Sequence, residues 1–217
     1  MKIQKRINKK NDKLLLFFSG WSASPDVFGK LESGQDTDLW ICYDYRDLSF
    51  PEDISSYKEI TLIAWSLGVW VASLLFDGKE TFFAKAIAIN GTPCPVHDRS
   101  GIPEIVFRGT LENIDEEGLH RFNRRMCGNR ETLLQYEQYP SREIKEIEEE
   151  LNHLFQQIQE KGNGSCNLWT QAVLSVSDRI FPFENLRHYW KGRCPVTEIN
   201  APHYPFNLWK EWKEIYK

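Results

Sequence analysis

The chain lacks the marks of several large functional classes. It has no basic excess: 27 Lys and Arg stand against 31 Asp and Glu, giving a formal charge of −4 and a pI near 5.8. Nucleic-acid-binding domains usually carry a positive excess, so nucleic acid is set aside as a partner. Its five cysteines, Cys42, Cys94, Cys127, Cys166 and Cys194, form no C-x-x-C pair. That spacing excludes a cysteine metal site, and the odd count leaves at least one thiol unpaired, which points to a reducing, cytoplasmic setting. The basic start Met1 to Lys13 followed by the apolar Leu14 to Phe18 imitates a signal peptide, but the run stops at Ser19-Gly20 and is too short. No membrane partner is therefore expected. A glycine-rich phosphate loop, an internal repeat, a low-complexity tract and a linker are all absent from the sequence. No cofactor and no metal are expected.

What remains is an ordinary globular composition, 41% hydrophobic and 27% charged over 217 residues, enough for one domain with a substantial core. Lys2 to Ile7 reads as a short edge strand. Leu14 to Phe18, Leu39 to Tyr43, Ile60 to Ala64 and Ala84 to Ile89 are continuous apolar runs, as expected of strands buried on both faces. From about 105 to 164 the character changes to charged, helix-favouring sequence. There Ser141 can cap a helix in which Ile144, Ile147, Leu151, Leu154 and Ile158 repeat at three- and four-residue steps up to Gly162. Glu148-Glu149-Glu150 reads as its solvated face. Ala172 to Val176 and Val196 to Ile199 resume the strand pattern, and a last helix is expected from about Pro205 to Tyr216. The expectation is one α/β domain over 1–217: a mostly parallel sheet with helices on both faces and a helical cap inserted at about 105–164.

The stretch around which this pattern is organised is Ala64-Trp65-Ser66-Leu67-Gly68, between an apolar strand and an apolar helix. A serine hydroxyl attacks a carbonyl carbon only if a base takes its proton and a sharp turn holds it clear of the chain, which is the mechanical content of G-x-S-x-G. Alanine stands in the first glycine position here. Ser66 also reads as a plain helix N-cap. Two further residues sit just past the ends of later strands, Asp178 and His203. The order serine, acid, histidine is that of the α/β-hydrolase triad, with room for a cap between the first two and for one helix and one strand between the last two. In that arrangement His203 takes the proton of Ser66, Asp178 orients the imidazole, and the backbone N–H groups of Leu67 and Trp21 face the oxyanion. Gly20 lets the chain approach closely, and Trp21 and Trp65 flank an apolar acyl pocket. His97, His120, His153 and His188 have only dull readings.

Phe18-Ser19-Gly20-Trp21, Ala64-Trp65-Ser66-Leu67-Gly68, Ser177-Asp178-Arg179-Ile180-Phe181-Pro182 and Ala201-Pro202-His203-Tyr204-Pro205-Phe206 together resemble BioG, a family of pimeloyl-[acyl-carrier protein] methyl ester esterases of biotin synthesis. The resemblance runs over essentially the whole chain. It implies hydrolysis of a carrier-bound methyl ester by Ser66, Asp178 and His203, with Trp21 and Leu67 as oxyanion donors. The related BioH esterases have His-Gly-Trp-Gly where this chain has Ser19-Gly20-Trp21-Ser22, and glycine in place of Ala64. The implied partner is an acidic acyl carrier protein, which a monomer of net charge −4 repels as a whole. Arg121, Arg124 and Arg125, at three- and four-residue steps, with Arg130 and Arg142 nearby, are the local patch expected to dock it. A general short-acyl esterase or thioesterase, and a non-catalytic binding protein of the same fold, remain open alternatives from the residues alone.

Overall fold

The computed structural model describes residues 1–165 and 167–216, so Cys166 lies outside the described residues. Seven strands form one sheet: β1 (Lys2–Ile7), β2 (Lys13–Phe18), β3 (Thr37–Tyr43), β4 (Glu59–Trp65), β5 (Lys85–Ile89), β6 (Gln171–Ser175) and β7 (Val196–Ile199). The spatial order is β1-β3-β2-β4-β5-β6-β7, with only β1 antiparallel to its neighbour. The apolar runs make the middle of this sheet for the expected reason: Leu14 to Phe18 and Ile60 to Trp65 are all buried, which a strand covered on both faces requires.

Helix α1 (Leu67–Leu75) follows β4 and α6 (Phe183–Trp190) joins β6 to β7. Between β5 and β6 the chain leaves the sheet for α2 (Glu104–Leu111), α3 (Glu116–Cys127), α4 (Arg130–Glu137) and α5 (Ile144–Lys161). The apolar stripe predicted for α5 is its buried face: Ile147, Leu151, Leu154 and Ile158. Two details differ from the sequence reading. Ser141 does not cap α5; Glu143 holds that position, and the Ser141 hydroxyl donates to the Arg142 carbonyl instead. Glu150 is no part of a solvated face, being completely buried.

The crossover from β2 to β3 carries a 3₁₀ turn at Pro25–Phe28. The segment expected as a last helix is two 3₁₀ turns, Phe206–Leu208 and Trp212–Tyr216. Backbone pairing explains the break: Glu32 N–H donates to Lys210 O at 2.9 Å and Trp212 N–H to Glu32 O at 3.0 Å, which sets Glu211 in a parallel bridge with Glu32 between the two turns. Phe28 and Phe206 from these turns pack edge-on against Phe17 of β2, with centroids 4.8 and 5.6 Å away, and Trp212 packs on it at a tilt, 4.7 Å away. Aromatic side chains thus cover sheet area that longer helices would otherwise bury. Among the described residues no helix is long and apolar enough to cross a membrane.

Two glycines test this geometry in opposite directions. A Cβ on Gly68 would stand 2.4 Å from the Ser19 carbonyl oxygen and 2.6 Å from that of Phe18. Gly68→Ala is expected to cost about 3 kcal/mol, the upper end of overpacking. Gly109, exposed in α2, has nothing within 4 Å of where a Cβ would stand, so Gly109→Ala should stabilise by about 0.5–1 kcal/mol through helix propensity. Thermal melts of the two variants check both signs; a Gly68→Ala midpoint equal to wild type would show that α1 is not seated this closely on β2.

Candidate active site

The turn between β4 and α1 is a single residue. Ser66 has φ 58° and ψ −129°, a left-handed conformation that a non-glycine residue holds at a cost of about 1–3 kcal/mol. Its N–H donates to Ile89 O at 3.0 Å and its carbonyl accepts from Val69 N–H at 3.1 Å, so neighbouring elements fix the turn. The hydroxyl makes no capping bond to the helix backbone. The alanine that replaces the first motif glycine, Ala64, is an ordinary interior residue of β4, paired with Phe18 and Ala88. The crowding falls instead on Gly20, where a Cβ would lie 3.1 Å from that of Ser66, and on Gly91, where it would lie 2.3 Å from Ser66 O.

The structure brings Ser66, His203 and Asp178 together from the ends of β4, β7 and β6. His203 Nε2 lies 2.9 Å from Ser66 Oγ, and His203 Nδ1 lies 2.7 Å from Asp178 Oδ2. The other Asp178 oxygen accepts the N–H groups of Ile180 and Phe181 at 2.8 and 3.0 Å, which fixes the carboxylate plane. A carboxylate at Nδ1 leaves the imidazole proton there and Nε2 as the acceptor for the serine hydroxyl. Two other acids of the chain, Asp98 and Asp115, do structural work: Asp98 accepts from Glu104 N–H, and Asp115 caps α3 through Gly118 N–H.

Sequence reasoning missed what holds the histidine. Asn90, at φ 46° past the end of β5, donates through Nδ2 to the His203 carbonyl at 2.9 Å and to Ser175 Oγ at 2.8 Å, while its Oδ1 accepts from Ser175 N–H at 2.7 Å. Trp65 Nε1 donates to the same His203 carbonyl at 2.9 Å. The Phe181 ring stacks on the imidazole, 6.0 Å between centroids and 6° from parallel. Asn90-Gly91-Thr92-Pro93 reads as a turn in sequence, and that signal hid the amide's second role.

Ser66 and His203 open on a small cavity of about 30 Å³. Trp21, Trp65, Leu67 and Ile180 line it from the sheet side, and Val106, Phe107, Phe122, Met126 and Leu151 line it from α2, α3 and α5, so the inserted helices cover the serine. The exposed Arg125 and Arg179 line it as well, whereas His97, His120, His153 and His188 do not. The Trp21 indole donates to Ile147 O at 2.8 Å and meets Phe122 edge-on at 4.9 Å. Leu67 is the first residue of α1, where backbone N–H groups have no partner within the helix.

Arg121, Arg124 and Arg125 are exposed on α3 and line a second cleft of about 330 Å³ beside the end of α2. Arg121 is already paired with Glu117 at 2.6 Å. Arg130 is exposed at the start of α4, but Arg142 does not belong with this group: its side chain is buried and ion-paired to Glu150 at 2.6 Å and to Asp44 at 3.2 Å. Burial pushes the Cys42 and Cys127 thiols up, the latter to about 12, so neither is a nucleophile. No group of His, Cys, Asp and Glu that could hold a metal ion occurs among the described residues.

The chain matches the family described as "Pimeloyl-ACP methyl esterase BioG" over residues 1–215. It superposes on the crystal structure of SeMet-BioG from Haemophilus influenzae with a TM-score of 0.94 and 39% identity, covering 100% of both chains. An uncharacterized protein of H. influenzae is 40% identical over 203 residues, 94% of each chain. A Malonyl-[acyl-carrier protein] O-methyltransferase of Bacteroides fragilis is 38% identical over 200 residues, 91% of this chain but 40% of that protein. A lipase-esterase related protein of Clostridium acetobutylicum, at TM-score 0.66 and 15% identity over 95% of this chain and 93% of its own, shares the α/β-hydrolase fold. With a seven-stranded, mostly parallel sheet and near-complete coverage at this identity, the chain belongs to the BioG family of pimeloyl-ACP methyl esterases, which are carboxylic ester hydrolases.

Proposed function

We propose that this chain hydrolyses the methyl ester of pimeloyl-[acyl-carrier protein] in biotin synthesis, with Ser66 as nucleophile. The observation that carries the reading is the hydrogen-bonded chain from Ser66 Oγ through His203 to Asp178, opening on an apolar cavity. Ser66 Oγ attacks the ester carbonyl carbon as His203 Nε2 takes its proton, and negative charge moves to the carbonyl oxygen. The Leu67 and Trp21 N–H groups receive that oxyanion; one such donor is worth about 2.7–4 kcal/mol of barrier. The tetrahedral species collapses, the C–O bond to methoxide breaks, and the His203 proton leaves with it as methanol. Water then repeats the sequence on the acyl-enzyme, giving the free carboxylate and restoring Ser66.

The methyl-adding enzyme named for the Bacteroides relative fits this reading, because an ester installed on a carrier-bound chain must later be removed. The cavity is too small for an acyl chain of seven carbons. Helix α2, with Ile105 79% and Val106 40% exposed and Phe107 stacked on Phe155 of α5 at 5.4 Å, is the element that yields to it. The α3 arginines supply the positive surface that an acidic carrier requires, against the net charge of −4. Buried unpaired thiols at Cys42, Cys94 and Cys127 suit a cytoplasmic enzyme.

Ser66→Ala should lose several powers of ten in kcat at unchanged melting temperature, and wild type but not the variant should be labelled by an alkyl phosphonate. Activity within about tenfold of wild type, a small step on the barrier scale, would place the nucleophile elsewhere. Asp178→Asn should lower kcat strongly with KM little changed. If Asp98→Asn or Asp115→Asn is instead the damaging change, the acid is misassigned. Pimeloyl-carrier methyl ester should be converted to the free acid still attached to its carrier, whereas cleavage of the thioester first would identify a thioesterase.

Asn90→Asp keeps a residue tolerant of the left-handed backbone but loses the amide donor to His203 O. It should cost about tenfold in kcat through loss of imidazole orientation, read at a temperature where the variant is fully folded. Finally, reversing Arg121 and Arg124 to Glu, with Arg125 left intact because it also lines the catalytic cavity, should raise KM for the carrier substrate and spare small free esters. That KM should also rise with salt in the wild type. An unchanged carrier KM at low salt for the double reversal would move the docking surface off α3.

A further inference from the structure

Away from the serine, α5 meets the loops that follow β2 and β3 in a buried knot of charge. Glu150 is fully buried. Its Oε1 accepts the Tyr45 backbone N–H at 2.8 Å, and its Oε2 accepts Arg142 Nη1 at 2.6 Å and the Ser22 backbone N–H at 3.4 Å. Arg142 reaches on to Asp44 at 3.2 Å, and Asp44 is also held by Lys2 at 2.9 Å and Arg46 at 2.7 Å. Burial pushes the Glu150 carboxyl up and Arg142 opposes it, whereas at Asp44 the bonds from Arg46 and Lys2 outweigh burial and hold the carboxyl far down.

A buried ion pair is a weak stabiliser, and apolar residues of the same volume often pack as well or better. An apolar pair cannot accept backbone N–H groups, and the two that Glu150 takes converge on one loop. Ser22 directly follows Trp21. Tyr45, held by its N–H, donates its own hydroxyl to Ser19 O at 2.8 Å, at the other end of the same loop. Between these two points the Trp21 indole is bonded to Ile147 O, one turn before Glu150 on α5. Ser19-Gly20-Trp21-Ser22 is therefore held by α5 directly at Trp21 and Ser22, and through Tyr45 at Ser19.

We propose that Glu150, with its charge balanced by Arg142, is a positioning residue that sets the Trp21 backbone N–H toward the oxyanion, through Ser22 on one side and Tyr45 with Ser19 on the other. The inference rests on the serine-esterase reading above. It makes α5 the part of the inserted helices that stays fixed on the sheet during turnover. Because an oxyanion donor acts on the transition state more than on bound ester, disturbing Glu150 should change kcat and leave KM alone.

The test uses small-ester kinetics on the whole protein. Glu150→Gln offers one acceptor oxygen for two backbone donors and turns an NH₂ toward the other, so kcat should fall about ten- to a hundredfold with KM within about twofold. The double variant Arg142→Met with Glu150→Leu should recover thermal stability relative to Arg142→Met alone, yet keep the low kcat. An alkyl trifluoromethyl ketone, whose serine adduct carries an oxyanion, should bind both variants more weakly by the factor lost in kcat/KM. Recovery of wild-type kcat along with stability in the double variant would reduce the pair to a packing element and overturn the proposal. So would a Glu150→Gln enzyme with unchanged kcat, or one altered only in KM. Wild-type enzyme that escapes the phosphonate removes the serine reading and this inference together; wild-type labelling with Glu150 variants at full kcat removes only the inference.

Discussion

The sheet must turn into a helix within one residue at Ser66, and the surroundings of the site are shaped by that constraint. A left-handed φ on a residue with a side chain is tolerable only if neighbouring backbone comes close enough to fix it, and close backbone leaves no room for a Cβ. Gly68 and Gly91 are the consequence, with carbonyl oxygens 2.4 and 2.3 Å from where their Cβ atoms would stand. The strain is thus offset by packing drawn from β2 and β5, the two strands that flank β4. The hydroxyl gains freedom from capping and points to His203 instead.

Asp178 and His203 come from loops over a hundred residues away from Ser66; Ile180 and Phe181 fix the Asp178 carboxylate locally, but His203 is held from a distance. The fold supplies long-range bonds from indoles in place of extra helices. Trp65 donates to His203 O, Trp21 to Ile147 O, Trp190 to Gly91 O, and Trp70 to Gly162 O where α5 ends. Each indole buries a large apolar face and delivers one N–H to a backbone carbonyl of a distant segment. Such a staple joins two segments without a regular element between them. The same economy appears at the chain's end, where Phe206 and Trp212 on 3₁₀ turns cover β2.

How much of this was legible follows from what each element depends on. Strands such as Leu14 to Phe18 and Ile60 to Ala64 were readable because burial on both faces leaves an unbroken apolar run. The positions of Ser66, Asp178 and His203 were readable because parallel strands put their following loops at one edge of the sheet. Pro205 to Tyr216 was not, since its geometry depends on backbone pairing with Glu32, a partner no periodicity reports. Asn90 was hidden behind a genuine turn signal. Glu150 was misread although its phase was available: it stands three residues after Ile147 and four before Leu154, on the apolar stripe and not opposite it. Three consecutive glutamates suggest solvent by composition, and helical phase should have separated the third from the other two.

That buried glutamate also divides the inserted helices by function. Through Arg142, Asp44, Arg46 and Lys2, α5 is tied to β1 and to the loop after β3 by a connected set of ion pairs, several of them with a buried member. Networks of this kind resist displacement because moving one partner strands the others in a poorly solvated place. Among the described residues α2 has no ion-pair network of this kind: Phe107 is its one buried side chain, Ile105 is exposed, and Val106, which lines the cavity, is partly exposed as well. An esterase that, as proposed here, admits a carrier-bound chain and presents fixed oxyanion donors has opposite mechanical needs within one site. On the reading proposed above, the stiff requirement falls to α5 and the yielding one to α2, because the carbonyl and carboxylate that hold Trp21 and Ser22 both lie on the helix bound by the ion-pair network.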